Sequence, residues 1–443
     1  MNNTKLILNT ILIPSLLLSG TGLSFYDAPI SAAANSSLAP SITTKVDLLR
    51  EVELIPLWQD KANGMGVYDT EAPFSNGLVY YSPGGSLKAV DIVTGKVKWS
   101  YKNGTHPEIV TNNSVFFITY DGYLVKVVAS TGKLLWKVKV ADSPIEIGAT
   151  AEIINGVLYY RNEHGEIAAY NPVSGKKIWE NKTIPMYAGS ITGLYGGVLV
   201  VSSTVDNLRT QFFGLDPTTG KKIWRIQGLY NFVAYREGQL ILREQADAVY
   251  DYTNTSPIQG YQLTLSYVDV ASGKVTNKEN YKPFADIRRL SNSQTSLQGP
   301  YIYSVIGNSD QKEDFLNRFK LGEAPEAEPK SYEAYGDYLS GPINGIAFFQ
   351  KGSQITSVNV YNDTFKTYDG INSPVVNIQR IGKGIYTSYE NGYLYIMNAE
   401  TGTTIGKVKT GAQQYGKIFI VNETLLIQTE QNVFAISLPK ELQ

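Results

Sequence analysis

The sequence predicts an all-β fold built from repeated four-stranded sheets around one centre. With 31 Tyr, 15 Phe and 40 Gly in 443 residues, the composition favours strands joined by tight turns. One unit recurs along the chain, and its first five turn glycines follow each other at intervals of 37 to 53 residues. That interval is typical of one four-stranded sheet in a ring. The turn glycines are Gly95, Gly132, Gly175, Gly220, Gly273 and Gly402.

The repeated unit consists of a strand, a tight turn and an outer strand. Its best copy reads LKAVDIVTGKVKW at residues 87–99. Asp91 opens the turn with its side chain, and Gly95 supplies the positive φ that the turn requires. Upstream, pairs such as Asp121-Gly122 suit two-residue hairpins between two further strands. All five tryptophans fit one register of this unit: Trp58, Trp99, Trp136, Trp179 and Trp224.

The two ends of the chain hold complementary halves of one unit. Trp58 has no turn glycine before it, yet residues 57–64 resemble residues 98–104. The missing front half stands at residues 425–437. We therefore expect the N-terminal segment to supply the outer strand of the last sheet, which removes an exposed sheet edge.

The copy at 89–99, Ala-Val-Asp-Ile-Val-Thr-Gly-Lys-Val-Lys-Trp, resembles the tryptophan-docking motif of pyrroloquinoline-quinone-type (PQQ-like) propellers, in the quinoprotein alcohol dehydrogenase-like superfamily. The resemblance covers nearly the whole chain after residue 50. It implies a single β-propeller in which each Trp packs onto the neighbouring blade. Family precedent implies eight blades, although nine strands of the Leu78-Val-Tyr-Tyr type can be counted; seven to nine blades are consistent with the spacing.

The first residues predict export. Leu6 to Leu18 is an apolar run behind a single Lys5, and small residues lie at 30–34, which is the order of a signal peptide. A membrane anchor is the alternative, but a spanning helix needs about 20 apolar residues. We expect residues 1–34 to be a signal peptide, 35–50 a flexible mature N-terminus and 51–443 the propeller. The protein is then secreted, with no transmembrane segment after cleavage; retention at the cell wall stays open.

Composition argues against several classes of function. The formal net charge of −1 gives no overall attraction to nucleic acid. The absence of cysteine excludes disulfides, thiolate metal sites and cysteine nucleophiles. By resemblance, quinone-dependent dehydrogenases hold their quinone under adjacent cysteines, with calcium and an aspartate base. We therefore expect no cofactor and place the chain in the non-catalytic branch.

Other catalytic groups are weakly indicated. His106 and His164 stand alone, and one histidine does not make a zinc site. Glu108 and Glu146 both fall on predicted inner strands and could face the central channel, where such carboxylates commonly only hydrate the surface. Residues 308–312 fail as a calcium loop because a lysine stands where an oxygen ligand is needed. The sequence thus predicts no catalytic residue and no metal site.

Two departures from the repeat are candidate binding loops. A Tyr-rich lengthening spans 247–260, and an acidic, Pro- and Tyr-containing stretch spans 308–338. Long loops on a rigid ring often carry binding residues, but a degraded blade with a solvated loop fits equally. The candidate residues are Tyr250, Tyr252, Tyr261, Tyr332 and Tyr335.

Three classes of function follow. The first is a monomeric, non-catalytic module that binds an extracellular or cell-envelope protein. The second is binding of a carbohydrate or of an anionic wall polymer, for which the lysines after the turn glycines would form a ring on one face. The third, disfavoured, is a quinone-dependent or hydrolytic enzyme.

Overall fold

The computed structural model describes residues 52–62, 73–141, 149–162, 164–185, 190–204, 210–244, 261–284, 295–308 and 313–443. In these residues, 36 strands form nine four-stranded sheets. Two short 3₁₀ turns, Glu333–Tyr335 and Lys440–Leu442, accompany them. The expected all-β propeller of four-stranded blades is confirmed.

We number the sheets as blades in chain order. The first strand, β1 (Trp58–Lys61), belongs to the last blade. Blade 1 comprises β2 (Phe74–Ser75), β3 (Leu78–Tyr81), β4 (Ser86–Asp91) and β5 (Val97–Lys102). Blade 2 comprises β6 (Gly104–Val110), β7 (Ser114–Thr119), β8 (Tyr123–Val128) and β9 (Leu134–Lys139). Blade 3 comprises β10 (Ala149–Ile154), β11 (Val157–Asn162), β12 (Ile167–Tyr170) and β13 (Lys177–Asn181).

The next three blades carry the lengthened segments. Blade 4 comprises β14 (Ser190–Tyr195), β15 (Val198–Thr204), β16 (Thr210–Leu215) and β17 (Lys222–Arg225). Blade 5 comprises β18 (Tyr230–Arg236), β19 (Gln239–Glu244), β20 (Tyr261–Asp269) and β21 (Val275–Phe284). Blade 6 comprises β22 (Thr295–Gln298), β23 (Tyr301–Asn308), β24 (Glu313–Lys320) and β25 (Lys330–Ser331).

The last three blades complete the set. Blade 7 comprises β26 (Asp337–Ile343), β27 (Ile346–Lys351), β28 (Gln354–Asn359) and β29 (Thr364–Asp369). Blade 8 comprises β30 (Val375–Ile381), β31 (Gly384–Tyr389), β32 (Tyr393–Asn398) and β33 (Thr404–Lys409). Blade 9 comprises β34 (Phe419–Val421), β35 (Thr424–Gln428), β36 (Asn432–Ser437) and β1.

The expected count of eight blades is wrong, since the described residues form nine sheets. The number eight came from the family resemblance. The nine strands of the Leu78-Val-Tyr-Tyr type that were counted in the sequence correspond to the nine sheets. Blades 6 and 7 lie between Gly273 and Gly402, and neither carries a docking tryptophan. The strands of these two blades still pair, because strand pairing depends on alternating apolar residues and does not require the turn motif.

The N-terminal segment runs along the outer edges of the last two blades. β1 pairs antiparallel with β36, with Trp58 opposite Ala435. Asp60 on β1 also binds blade 1: Lys88 Nζ lies 2.9 Å from Asp60 Oδ2, and the Tyr81 hydroxyl donates to the same oxygen at 2.8 Å. Burial raises the pKa of this carboxyl, but the donated hydrogen bonds outweigh burial and lower it overall. The segment that contains β1, the last blade and the first blade thus meet around Asp60.

Hydrophobic clusters lie between neighbouring blades, not within them. Each cluster of buried residues in the described chain combines side chains of two adjacent sheets. One cluster joins blade 9 to blade 1, through Leu426 and Ala435 on one side and Val79 and Val90 on the other. The sheets therefore form a continuous ring whose core is the set of interfaces between blades.

The five tryptophans act alike at five of these interfaces. Each indole Nε1 donates to a backbone carbonyl one or two residues past the third strand of the next blade. Four of these donor–acceptor distances are 2.8 Å, and that of Trp136 is 3.3 Å. The acceptors, in order from Trp58 to Trp224, are Ile92, Ala129, Pro172, Pro217 and Val270.

Each indole ring also covers the turn glycine of the next blade. A methyl group on Gly132 would stand 2.7 Å from Trp99 Cδ2, and the turn has φ +69°. Glycine is therefore required twice, once for its conformation and once for the close approach of the ring. The same contact joins Trp58 to Gly95, Trp136 to Gly175, Trp179 to Gly220 and Trp224 to Gly273.

Other donors replace the indole where no tryptophan is present. The carbonyl of Val360 in blade 7 accepts from Arg318 Nη1 of blade 6 at 3.0 Å. The carbonyl of Ala399 in blade 8 accepts from Lys366 Nζ at 3.1 Å and from the Tyr368 hydroxyl at 3.2 Å. The acceptor carbonyl is thus retained while the donor residue changes.

We predict that Gly132→Ala destabilises the protein much more than Gly156→Ala. Both positions have positive φ, +69° and +79°, but nothing lies within 4 Å of a methyl group at Gly156. The control should lose about 1 kcal/mol for the left-handed conformation, and Gly132→Ala about 2–4 kcal/mol because Trp99 must also move. Guanidinium unfolding of both variants measures the difference. Equal losses would show that the indole contact contributes nothing.

Candidate functional site

The connections between strands fall on two faces of the ring. Because the four strands of a blade alternate in direction, first-to-second hairpins and third-to-fourth turns share one face, which we call the turn face. Second-to-third connections and links to the next blade share the opposite face, the insertion face. The lengthened segment of blade 5 leaves β19 at Glu244 and re-enters β20 at Tyr261, so both its ends lie on the insertion face.

Two of the candidate binding tyrosines belong to that lengthened segment, and a third, Tyr261, directly follows it. Tyr250 and Tyr252 lie outside the described residues. Tyr261 opens β20, and its backbone stands opposite Phe284 on β21. A binding role for these three residues stays a prediction.

Tyr332 and Tyr335 instead pack between blades 6 and 7. Tyr332 is 1% exposed, and its ring stacks on Phe349 with centroids 6.1 Å apart. Tyr335 contacts Phe349 and Phe365 at centroid distances of 5.7 and 5.4 Å. The two tyrosines fill the interface at a place where no docking tryptophan exists. In this structure they form part of the core, and Tyr332 offers no surface for a ligand.

The predicted channel carboxylate Glu108 joins two blades. Its side chain is 4% exposed and lies 2.9 Å from His106 Nε2. The backbone N–H of Ala151, on the inner strand of blade 3, donates to Glu108 Oε2 at 3.1 Å. Glu146, its suggested partner, lies outside the described residues.

Two glutamines act in the same way in later blades. The N–H of Val375 donates to Gln350 Oε1 at 3.1 Å, and the N–H of Ile418 donates to Gln379 Oε1 at 3.0 Å. Inner strands end their sheets, so their outward N–H groups need partners from the next blade. These polar side chains therefore satisfy edge amides.

A carboxylate pair that sequence reasoning missed lies in blade 3. Glu166 and Glu180 share a hydrogen bond. Burial is the main cause that raises the pKa of Glu166, and this hydrogen bond is the second cause. The same hydrogen bond lowers the pKa of Glu180. Lys182 lies 3.2 Å from Glu180. The two glutamates are 14 positions apart, and only the pairing of β12 with β13 brings them together. The two carboxyl groups are therefore bonded to each other and to Lys182.

The described surface has a cleft on the turn face between blades 5 and 6. Its volume is about 190 Å³. Leu321 and Tyr267, both half-buried, line it together with polar residues, and the buried Ile241 lies beneath. The lining residues are Arg236, Glu237, Gln239, Ile241, Tyr267 and Leu321.

The polar groups of this cleft are held in place by their neighbours. Arg236 Nη2 donates to the Gly299 carbonyl at 2.8 Å, and Gln239 Nε2 donates to the Thr276 hydroxyl at 2.9 Å. Burial, with Glu279 nearby, raises the pKa of the Tyr267 hydroxyl above its ordinary value of 10.0. It therefore stays protonated, as a potential hydrogen-bond donor, throughout the physiological range.

A separate aromatic stack lies between blades 4 and 5. The Tyr195 ring stacks on Phe232 and on Tyr235, with centroids 5.5 and 4.9 Å apart. The cleft and this stack draw residues from several strands and three blades, so no local motif marks them in the sequence. The excess of tyrosine was the one signal, and it does not say which rings are exposed.

A quinone site with calcium does not fit the described residues. Within them, no three His, Asp or Glu side chains lie close enough together to hold a metal ion. The chain also has no cysteine to stand beside a quinone. In the same residues, no helix is long and apolar enough to cross a bilayer.

Comparison with known proteins agrees with the repeat. Residues 56–191 and 163–276 match the family described as "Outer membrane protein assembly factor BamB". Quinoprotein alcohol dehydrogenase PedH of Pseudomonas putida is 32% identical over 162 residues, covering 31% of this chain and 27% of that protein. Outer membrane protein assembly factor BamB of Nitrosomonas eutropha is 32% identical over 121 residues, 27% of each chain.

The fold and these matches define the class of the protein: the chain belongs to the PQQ-like repeat propellers. A quinone-dependent alcohol dehydrogenase subunit of Gluconobacter oxydans is also similar, at 26% identity over 183 residues, covering 34% of this chain and 23% of that subunit. The matched part spans about a quarter of the length of these relatives. The class therefore includes both dehydrogenases and an assembly factor.

We predict that Tyr332→Phe leaves stability nearly unchanged, whereas Tyr332→Ala costs about 3–5 kcal/mol. The hydroxyl is buried without a hydrogen-bond partner, so its loss removes no bond, while loss of the ring opens a cavity against Phe349. Thermal and guanidinium unfolding measure both variants. A Tyr332→Ala protein of wild-type stability would contradict the packing role.

Proposed function

We propose that this propeller is a secreted, non-catalytic module that binds an extracellular or cell-envelope protein. The apolar run at residues 6–18 supports export,. The similarity to an assembly factor supports a role in protein binding, and the absence of cysteine separates this chain from the quinone-binding pattern that the resemblance implies. The ring supplies a rigid body on which surface features keep fixed positions.

The cleft between blades 5 and 6 is the observation that carries this proposal. It places the apolar side chain of Leu321 and the ring of Tyr267 beside Arg236 and Glu237, and an apolar patch with charged neighbours is a feature that protein-binding sites share. About 190 Å³ suits one large side chain of a partner, since pockets for drug-sized ligands measure about 300–1,000 Å³.

Three carboxylates, Glu108, Glu166 and Glu180, do not form the pair that a retaining glycosidase needs. A retaining glycosidase needs two carboxyl groups about 5–5.5 Å apart, with the sugar between them. Glu166 and Glu180 instead touch each other, and Glu108 is occupied by His106 and the amide of Ala151. Each of these carboxylates has a structural partner that a substrate would have to displace.

Glycan binding is the second candidate, favoured by the ring of Tyr267 in the cleft wall. An aromatic face beside Gln239 and Glu237 could stack on a sugar ring and bind its hydroxyl groups. One hexose is comparable in size to one large side chain. The choice between protein and glycan is therefore an outcome of the experiment below.

We predict that Gln239→Trp, which fills the cleft, removes the partner without destabilising the ring. The measurement is quantitative crosslinking and mass spectrometry of neighbours on intact cells, together with binding to purified envelope glycan. Loss of one crosslinked protein by about tenfold or more supports the proposal, and loss of glycan binding alone favours the second candidate. Gln354→Trp, at an exposed residue of blade 7, is the matched control and should bind as wild type.

Two results would contradict the proposal. One is an identical set of neighbours for Gln239→Trp and the wild-type protein. The other is a higher melting temperature with pyrroloquinoline quinone and calcium, together with alcohol-dependent dye reduction. A cofactor at 100 times its Kd would add about 2.7 kcal/mol to the free energy of unfolding, so such binding would be easily seen.

A further inference from the structure

We infer that the outer strands of blades 1 to 5 form a docking surface for an extended polypeptide segment that alternates aliphatic and acidic residues. We call this surface the basic rim, and it comprises β5, β9, β13, β17 and β21 with the lysines of the turns before them. The segment would add to a blade as a fifth strand. This surface shares no residue with the cleft lining, and the two meet where Gln239 donates to Thr276 on β21.

The outer edges of these five strands are open in the described residues. Each of the five is the last strand of its sheet, and no described strand pairs with its outer side. Outward N–H and C=O groups along such an edge can pair with another chain. The edges therefore offer backbone hydrogen bonds.

Exposed aliphatic residues recur near the start of each outer strand of the basic rim. They lie two or three residues after the turn glycine of each blade and are 41–52% exposed. Single exposed apolar residues are ordinary, but these repeat in five consecutive blades, and no large hydrophobic residue of β25, β29 or β33 is comparably exposed. The residues are Val97, Leu134, Leu135, Ile178, Ile223 and Val275.

The basic rim also carries a row of exposed lysines. The lysines that follow the five turn glycines are exposed, and none of them forms an ion pair among the described residues. The strands themselves carry further basic residues beside Glu180 and Glu279, but Lys98, Lys177, Lys278 and Lys282 are ion-paired with carboxylates. The turn lysines are Lys96, Lys133, Lys176, Lys221 and Lys274.

The chain itself contains an example of such docking, on blade 8. Val52-Glu53-Leu54 lies along the outer edge of β33 as a parallel bridge. The N–H of Leu54 donates to the Lys407 carbonyl at 2.8 Å, and the N–H of Lys407 donates to the Val52 carbonyl at 2.9 Å. An aliphatic–acidic–aliphatic segment thus already occupies an outer edge beside a lysine.

The register of the sheets identifies which residues of the basic rim correspond to Lys407. Lys407 stands opposite Tyr395 of the third strand, five residues after its turn glycine. The corresponding residues of blades 1 to 5 are Ser100, Lys137, Glu180, Arg225 and Lys278, which include three basic residues and one acidic one. Their outward amide and carbonyl groups should therefore be disposed like those of Lys407.

Charge selects the occupant. Lysines on an edge strand ordinarily discourage pairing with other chains, because they repel a neutral or basic edge. The same lysines attract an acidic strand, and the aliphatic residues beside them supply apolar contact that a polyanion would not use. The combination of free backbone, aliphatic side chains and lysines therefore fits an acidic–aliphatic polypeptide better than an anionic polysaccharide.

The test is binding of a fluorescent peptide, Val-Glu-Leu-Glu-Val-Glu-Leu-Glu, to the full chain, followed by anisotropy at about 0.15 M salt. We expect saturable binding. Two variant peptides carry N-methyl groups, one on the odd-numbered amides and the other on the even-numbered amides. Each keeps every side chain, but the methylated amides along one of its edges cannot donate hydrogen bonds to a blade. At least one of them should bind about tenfold more weakly.

A rim variant with serine at all six exposed aliphatic positions should bind the peptide about tenfold more weakly while keeping the wild-type melting temperature. The matched control is Ile55→Ser with Ile343→Ser, at exposed aliphatic residues outside the rim, and it should bind as wild type. Gln239→Trp should bind the peptide fully, which separates this surface from the cleft. Equal binding of both N-methylated peptides and of polyglutamate would overturn strand addition, as would wild-type binding by the rim variant.

Discussion

The contact between an indole and the turn of the next blade is the constraint on which this ring depends. At five of the nine interfaces, one tryptophan donates to a fixed carbonyl and covers a glycine that must have no side chain. The indole satisfies a polar group and excludes water at the same time. Because each blade's core lies between two sheets, the contact sets both the spacing of the blades and their packing.

The remaining surfaces follow from that constraint. Inner-strand polar groups such as Glu108 and Gln379 accept hydrogen bonds from the next blade. These side chains at the channel therefore already have structural partners. The outer strands of blades 1 to 5 are the last strands of their sheets, and their edges are unpaired among the described strands. The indole is missing at the four interfaces from blade 5 to blade 9, and the cleft with Tyr267 lies at the first of them, between blades 5 and 6.

Sequence reasoning could predict the elements that repeat. Gly95 and Trp99 recur at a fixed spacing, which identifies the strand, turn and outer strand and the class of propeller. The number of blades could not be obtained in the same way, because Arg318, Lys366 and Tyr368 replace the indole with donors that share no motif. Tyr332 reads as a loop residue in the sequence, and only the packing on Phe349 shows that it is core. The cleft combines residues more than 80 positions apart, which no local pattern reports.

The central claim is that the N-terminal strand holds the ring together through the docking of Trp58 against blade 1 and the pairing of β1 with β36. Guanidinium unfolding of the chain lacking residues 52–61 tests it most directly. We predict a lower midpoint and loss of a single cooperative transition, because blades 1 and 9 lose their shared cover. An unchanged midpoint and slope would contradict the account.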